Sequence, residues 1–190
     1  MKFVTKELIS TVEIKKSKFI ASLFPYKDFK EVMQRLKKEH PKARHHVYAY
    51  RYLNEFGQVV ENSSDDGEPR GTSGRPSLNV LSGQNLINSA VIIVRYFGGV
   101  KLGTGGLVRA YSDAVNQVIS QSELSVYQKL EIRILELDYS KLSQIEYLIN
   151  SFEIVILQKE FTSNVILNLS GTKEQFKKLS ENLPLELEIK

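Results

Sequence analysis

The sequence predicts an α+β protein in two parts, and three patterns support this prediction. In the last third, segments of strand and helix periodicity follow in the order β-α-β-β-α-β, the ferredoxin-like arrangement. In the first two thirds, apolar strands are interspersed with segments whose apolar residues recur at helical spacing. The third pattern is a strongly apolar stretch, 89–97, that leads through a glycine-rich turn into a helix. The boundary is expected within 121–128, which divides the chain into domains 1–124 and 125–190.

The elements of the first part are predicted from periodicity and from residues that end helices. The helix at 27–41 carries apolar residues every three to four positions, and Pro41 ends it. The run at 89–97 has an uninterrupted apolar centre, 90–94, which is typical of a strand buried on both faces. The predicted order is one or two strands at 10–26, a helix at 27–41, a strand at 43–53 that begins a hairpin, a polar loop at 61–76, a short helix at 77–85, the strand at 89–97 and a helix from Gly103 or Thr104 to about Ser120. The inner stripe of this last helix is Leu107, Tyr111, Ala114, Val115 and Val118.

In the second part, alternation and helical spacing are clearer. The segment "KLEIRILEL" alternates apolar and polar residues, as a half-buried strand does. Thr172 precedes the second helix at a position that favours an N-cap. The predicted elements are a strand at 129–137, a helix at 139–150, strands at 152–160 and 162–170 that meet near Phe161 and Thr162, a helix at 172–183 and a strand at 184–190.

Composition excludes some classes of protein. The chain has no cysteine, so disulfides, thiol catalysis and cysteine-based zinc sites are excluded. Because no apolar run reaches the roughly 18–20 residues of a membrane span and the first residues do not resemble a signal peptide, we expect a cytoplasmic protein. Residues 1–120 carry 18 Lys and Arg against 11 Asp and Glu, whereas the remainder carries 8 against 11. A basic first part favours anionic partners such as RNA or the ribosome.

The loop 61–76, "ENSSDDGEPRGTSGRP", is the first candidate site. From position 65 onward it combines three carboxylates with two arginines and several glycines; these charged residues are Asp65, Asp66, Glu68, Arg70 and Arg75. Thr72 or Ser73 is expected to cap the helix that contains Pro76, whose N-terminus would then attract an anion. Carboxylate oxygens are ligands that Mg²⁺ prefers, so a magnesium site is a second possibility. An internal network of ion pairs is the alternative.

The glycine-rich turn 98–106 is the second candidate site. Clustered glycines allow successive amides to bind an anion at a helix N-terminus. The residues that would contribute are Gly98, Gly99, Gly103, Gly105 and Gly106, Thr104 at the helix start, and the cations Arg95, Lys101 and Arg109. Since no lysine precedes Thr104, the turn is not a Walker A motif. The alternative is that the glycines only permit close packing of helix and sheet.

The strand at 43–53 offers a third feature. Alternation places Arg44, His46, Tyr48, Tyr50 and Tyr52 on one side. Such a face stacks unpaired bases in some RNA-binding proteins, but it is equally common as an ordinary amphipathic surface.

The stretches "SSDDGEPRGTSGRPSLNVL" and "VIIVRYFGGVKLGTGGLVRAYSDAV" closely resemble the IMPACT family, in its bacterial YigZ-type branch. The resemblance covers the whole chain and is strongest over residues 44–115. It implies a first domain like domain 2 of ribosomal protein S5 and a ferredoxin-like second domain similar to the last domain of elongation factor G. Both parallels point to RNA or the ribosome, and eukaryotic members of the family act in translation control.

From residues and resemblance together, we expect a non-enzymatic cytoplasmic regulator associated with translation that binds RNA or the ribosome. A protein partner in translation control is possible, and no membrane partner is expected. The anion- and nucleic-acid-binding residues are predicted to be Arg70, Thr72, Arg75, Arg95, Gly98, Gly99, Lys101, Gly103, Thr104, Gly105, Gly106 and Arg109. The candidate Mg²⁺ ligands, with no other cofactor expected, are Asp65, Asp66 and Glu68. The alternatives are a Mg²⁺-dependent enzyme or binding protein for a nucleotide or phosphorylated small molecule, and a module that binds only other proteins. No arrangement for nucleophilic catalysis is evident.

Overall fold

The computed structural model describes all 190 residues, which form two compact units, Met1–Tyr127 and Gln128–Lys190. Strands and helices alternate irregularly, so the α+β class is confirmed. The strands are β1 (Lys2–Val4), β2 (Leu8–Ile14), β3 (Ser17–Pro25), β4 (His45–Leu53), β5 (Val59–Ser64), β6 (Ser89–Tyr96), β7 (Leu124–Val126), β8 (Leu130–Leu137), β9 (Val155–Phe161) and β10 (Val165–Thr172). The α-helices are α1 (Phe29–Glu39), α2 (Gly74–Gly83), α3 (Thr104–Ser120), α4 (Leu142–Ser151) and α5 (Lys173–Asn182).

The first unit is built on a five-stranded antiparallel sheet in the order β2-β3-β6-β4-β5. The central strand β6 is buried over seven of its eight residues. Helices α2 and α3 cover one face of the sheet, where they pack on Phe19, Val47 and Ile93. Helix α1 covers the other face with Val32 and Leu36. Because β6 is enclosed on both sides, its central residues 90–94 are all apolar rather than alternating.

Helix α3 positions the second candidate loop. It begins at Thr104 and ends at Ser120, and the five residues predicted for its inner stripe are all buried. Helical periodicity therefore identified the buried face correctly.

A short strand that the sequence did not predict lies at the end of the first unit. β7 pairs antiparallel with β1, through Lys2 and Val126 at one end and Val4 and Leu124 at the other. The first unit consequently runs to Tyr127, and the boundary expected at 124/125 falls within this strand.

The second unit has a three-stranded antiparallel sheet in the order β8-β10-β9, packed against α4 and α5. Thr172 caps α5 as predicted: its Oγ1 accepts from the Gln175 amide at 3.2 Å, and the Gln175 side chain accepts from the Thr172 amide. The strand predicted at 184–190 is reduced to an isolated bridge between Leu135 and Ile189. A turn from the Pro184 carbonyl to the Leu187 amide occupies the residues that would have extended it.

No helix of the chain combines the length and the apolar character that crossing a membrane requires.

Candidate functional site

Glu68 connects the first candidate loop to the strand and the helix that flank the glycine-rich turn. Its Oε1 accepts from Arg95 Nη1 at 2.6 Å and from the Tyr111 hydroxyl at 2.8 Å. Arg95 lies at the end of β6, just before the glycine-rich turn, and Tyr111 lies on α3. The Glu68 and Arg95 side chains are only 3% and 7% exposed. The pair is therefore an internal connection between the first loop and the end of β6.

Aromatic rings complete the surroundings of this ion pair. The Arg95 guanidinium lies over Phe19, 5.4 Å from the ring centroid, and Phe19 meets Tyr111 edge to face. Burial, followed by the negative charge of Glu68, raises the pKa of Tyr111 well above its ordinary value. The hydroxyl therefore stays protonated and acts as a donor to Glu68.

The N-terminus of α2 is already occupied by an anion of the protein itself. One carboxylate oxygen of Asp65 accepts from the Ser73 and Gly74 amides at 3.0 and 2.8 Å and from the Ser73 hydroxyl. The other accepts from the Gly71 amide at 2.7 Å. The prediction that Thr72 or Ser73 caps this helix is wrong: Ser73 donates to Asp65, and the Thr72 hydroxyl donates to the Pro69 carbonyl. The reason is that a carboxylate satisfies several of these amides at once.

The same contacts explain the acidity of Asp65. Burial alone would raise the pKa, but the hydrogen bonds from Gly71, Ser73 and Gly74 outweigh it and hold the pKa of Asp65 below its ordinary value of 3.8. A carboxylate with a lowered folded-state pKa stabilises the fold above its unfolded pKa. That contribution is complete at neutral pH and is lost as the pH falls through the folded-state value.

We expect Asp65→Asn to lower the free energy of unfolding by about 1–2 kcal/mol at neutral pH, since the helix loses a charged cap. The difference from the wild type should begin to shrink as the pH falls below the ordinary pKa of 3.8, and it should disappear once the pH is below the lowered folded-state pKa of Asp65. Urea denaturation at about pH 7 and about pH 3 measures both effects. Asp113→Asn, which changes an exposed carboxylate of α3, is the matched control. An equal loss for both variants would contradict the capping role.

The three carboxylates do not converge as metal ligands. Asp65 caps α2, and Glu68 binds Arg95 and Tyr111. Asp66 accepts from the His46 amide at 2.5 Å, and its carbonyl lies 2.8 Å from His45 Nδ1. The structure contains no group of three His, Asp or Glu side chains placed to hold an ion. The Mg²⁺ site predicted from these residues is therefore corrected to an internal network that fixes the loop.

Gly98 and Gly99 have architectural roles in the second loop. A Cβ on Gly98 would lie 2.0 Å from the carbonyl carbon of Lys16 and 2.3 Å from the Ser17 nitrogen. The Gly98 amide donates to the Ser17 hydroxyl at 3.2 Å. Gly99 adopts φ +85°, which non-glycine residues rarely reach. The packing alternative describes the contacts of Gly98, whereas a Cβ on Gly99 would meet nothing within 4 Å and this glycine is needed for its backbone conformation.

The start of α3 differs, because its amides remain open. Gly103 precedes the helix at φ +74° and contributes no side-chain cap, and the first amide with an acceptor is that of Leu107. The amides of Thr104, Gly105 and Gly106 therefore have no acceptor in the protein. A Cβ on Gly105 would meet nothing within 4 Å. This end of α3 thus presents free N–H donors and the positive end of the helix dipole to solvent.

The predicted cations separate into two groups. Arg95 is buried against Glu68, so it is not available to an external anion, contrary to the prediction. Arg109 lies along α3, with Nε 3.4 Å from the Gly105 carbonyl. Among the predicted cations, the exposed ones that form no ion pair with the protein are Arg70, Arg75, Lys101 and Arg109.

Two apolar residues that sequence reasoning missed lie in the same loop. Phe97 is 58% exposed and Val100 is 45% exposed. Phe97 directly follows β6, so its sequence pattern was that of a continuing buried strand. Its neighbouring glycines, which end the strand, were the signal that it leaves the core.

The tyrosine face of β4 is not an open stacking surface. Tyr48 and Tyr50 pack edge-on against Phe29 of α1, and Tyr52 stacks on Tyr26 with ring centroids 4.1 Å apart. Burial, followed by the neighbouring Tyr52, raises the pKa of Tyr26 to about 12. The amphipathic-surface alternative is the one observed, because α1 covers this face of the sheet.

Known proteins share both the sequence and the fold. Residues 15–119 match the Impact N-terminal domain. An IMPACT family member from Haemophilus influenzae is 36% identical over 90% of this chain and 84% of its own length. The IMPACT family member YigZ from Escherichia coli is 36% identical over 83% and 79%. The crystal structure of a hypothetical protein, 32% identical, matches 99% of this chain and 95% of its own with a TM-score of 0.62.

The sheet, the capped acidic loop and the glycine-rich loop thus define a protein built around an Impact N-terminal domain. The chain belongs to the IMPACT family. The similarity extends to eukaryotes: a Schizosaccharomyces pombe protein named "Protein IMPACT homolog" is 30% identical over 55% of this chain and 39% of its own length.

Proposed function

We propose that the protein is a non-enzymatic cytoplasmic regulator associated with translation, and that it binds RNA or the ribosome through the surface around the start of α3. The observation that carries the proposal is the set of amides at residues 104–106 that have no acceptor in the protein. They lie beside exposed cations that the protein leaves without counter-charges. We call this surface, formed by Phe97, Lys101, Thr104, Gly105, Gly106 and Arg109, the α3 surface.

The chemistry of the α3 surface suits a nucleic-acid backbone. Free helix N-terminal amides and the helix dipole favour a phosphate oxygen. Lys101 and Arg109 add charge without requiring a particular base, because phosphate contacts carry no sequence information. The exposed ring of Phe97 supplies a face on which an unpaired base can stack. Arg70 and Arg75, exposed on the adjoining loop and the first turn of α2, extend the basic surface.

Family membership and fold also support the proposed association with translation. The resemblance to the IMPACT family implies a role in translation control, and the S5-like and elongation-factor-G-like folds that it implies occur in ribosome-associated proteins. The observed strand order of the second unit agrees with the ferredoxin-like part of this proposal. Nothing in the arrangement of the carboxylates favours the Mg²⁺-dependent alternative, since each accepts from donors of the protein.

We expect the double substitution Lys101→Ala and Arg109→Ala to raise the Kd for single-stranded RNA about tenfold at low salt. The slope of log K against log salt should become shallower by about 1.4, because each phosphate contact on a single strand contributes about 0.7. Fluorescence anisotropy with a labelled, unstructured RNA from about 50 to about 200 mM salt measures both quantities.

A charge-matched control is Lys27→Ala with Lys30→Ala. These lysines follow the Pro25 end of β3, whereas the α3 surface lies beyond the opposite end of the sheet. The control should bind RNA nearly as well as the wild type. A wild-type protein that binds no RNA at low salt would contradict the proposed function. Equal losses of RNA affinity in both double variants would show that the RNA is attracted by the net charge of the protein alone.

A further inference from the structure

The turn between β2 and β3 consists of two lysines in an unfavourable conformation. Ile14 pairs with Ser17, so Lys15 and Lys16 alone make the connection. Their φ angles are +48° and +65°. Two-residue turns with both φ values positive favour Asn-Gly. In this region a Cβ lies too close to the following carbonyl oxygen; glycine has no Cβ, and the short polar side chain of Asn compensates through local hydrogen bonds. The chain therefore has lysines where other residues would make a more stable turn. This indicates that the lysines have a role other than stabilising the turn.

This turn is packed directly against the glycine-rich loop. The main chain of Gly98 lies so close to Lys16 that a Cβ would come within 2.0 Å of the Lys16 carbonyl carbon. The hydrogen bond from Gly98 to the Ser17 hydroxyl fixes the two segments together. Phe97, the exposed aromatic residue of the α3 surface, precedes Gly98 in the chain. The turn and the loop thus form one continuous edge of the first unit.

The charges of this edge are not neutralised. Lys15 and Lys16 are exposed, and neither forms an ion pair in the structure. Lys18, on the adjoining stretch of β3, is also exposed and lies across from Glu13. Positive charge therefore flanks Phe97 on two sides, from the lysine turn and from Lys101 and Arg109.

We infer that the Lys15–Lys16 turn is a second phosphate-binding element, and that the partner is single-stranded RNA which passes from the start of α3 over Phe97 to this turn. The inference rests on the proposed function and extends it. A single strand fits because a base stacked on Phe97 must be unpaired, while the phosphates on either side meet cations. The rigid turn holds both lysines at the surface without help from neighbouring side chains.

The decisive variant is Lys15→Asn with Lys16→Gly. Asn-Gly is the favoured sequence for this turn, so the hairpin should be retained and Tm should be unchanged or higher. We expect the Kd for the labelled single-stranded RNA to rise about tenfold at low salt, and the salt slope to become shallower by about 1.4. The matched control is Lys27→Asn with Lys30→Asn, at the opposite end of the sheet, for which little change is expected.

The outcomes separate this inference from the proposed function. If the turn variant keeps wild-type affinity and salt slope while Lys101→Ala with Arg109→Ala loses them, the lysine turn is not a phosphate contact and the proposed function stands. If the wild type binds no RNA at low salt, both are overturned. A preference of the wild type for duplex RNA over a single strand would overturn the assignment of Phe97 as a stacking platform.

Discussion

Glu68→Gln is expected to lower the free energy of unfolding by roughly 3–5 kcal/mol, more than any other substitution in this protein for which we state an expected effect. The glutamine keeps the size and the accepting oxygen of the glutamate but removes its charge. The Arg95 guanidinium, which is 7% exposed and has an Nε without a hydrogen-bond partner, would then be buried without a counter-charge. Breaking a buried ion pair at one end costs far more than the pair contributes overall.

Urea denaturation of four proteins tests this expectation: the wild type, Glu68→Gln, Arg95→Met and the double variant. In the Arg95→Met background Glu68 is itself a buried charge without a counter-charge. There Glu68→Gln should no longer lower the free energy of unfolding and should raise it instead. Tyr111→Phe alone should cost about 1 kcal/mol, since it removes one hydrogen bond to Glu68. Additive losses in the double variant would show that Glu68 and Arg95 are not coupled, which would contradict the pair as the link between the first loop and β6.

The contact between Glu68 and Arg95 could not be predicted from the sequence. The sequence identified both loops, but it assigned Arg95 to an external phosphate and Glu68 to a candidate metal site, with an internal network of ion pairs only as the alternative. The partners are 27 and 43 residues apart in the chain, and no local pattern states that they meet. The sequence analysis did not predict Asp65 as the cap of α2 for a related reason. Asp65 accepts from amides six to nine residues further along the chain, and these amides reach it only because the loop folds back.

Features set by local periodicity were predicted well. The buried face of α3 follows from apolar residues at helical spacing, and the N-cap of α5 from the position of Thr172 before the helix. Features set by tertiary packing were not. The strand β7 is only three residues long and forms because β1 lies beside it. The exposure of Phe97 depends on where β6 leaves the core. Whether the amides at a helix N-terminus stay without an acceptor likewise depends on whether a carboxylate from elsewhere in the chain binds them.

Gly98 lies in a candidate binding loop, but the structure gives it a packing role rather than a binding role. A Cβ added to Gly98 would have main-chain atoms of Lys16 and Ser17 within 2.3 Å, rather than flexible side-chain ends. Main chain in a two-residue turn has little freedom to move. We therefore expect Gly98→Ala to lower the free energy of unfolding by about 3 kcal/mol, at the upper end of overpacking effects.

Gly105→Ala is the matched control, since the added methyl group meets nothing within 4 Å and the residue lies in the first turn of α3. It should raise the free energy of unfolding by up to about 1 kcal/mol, because alanine favours a helix over glycine. Thermal and urea denaturation of the two variants provide the comparison.

The two glycine substitutions also differ in their expected effect on the affinity for RNA. At Gly98 the methyl group displaces the lysine turn, so affinity and stability should fall together. At Gly105 it covers the free amides of a fold that is at least as stable, so a fall in affinity alone would show that the backbone there contacts the ligand. A Gly98→Ala protein as stable as the wild type would mean that the loop and the lysine turn are not in contact, and the continuous edge to which both belong would be lost.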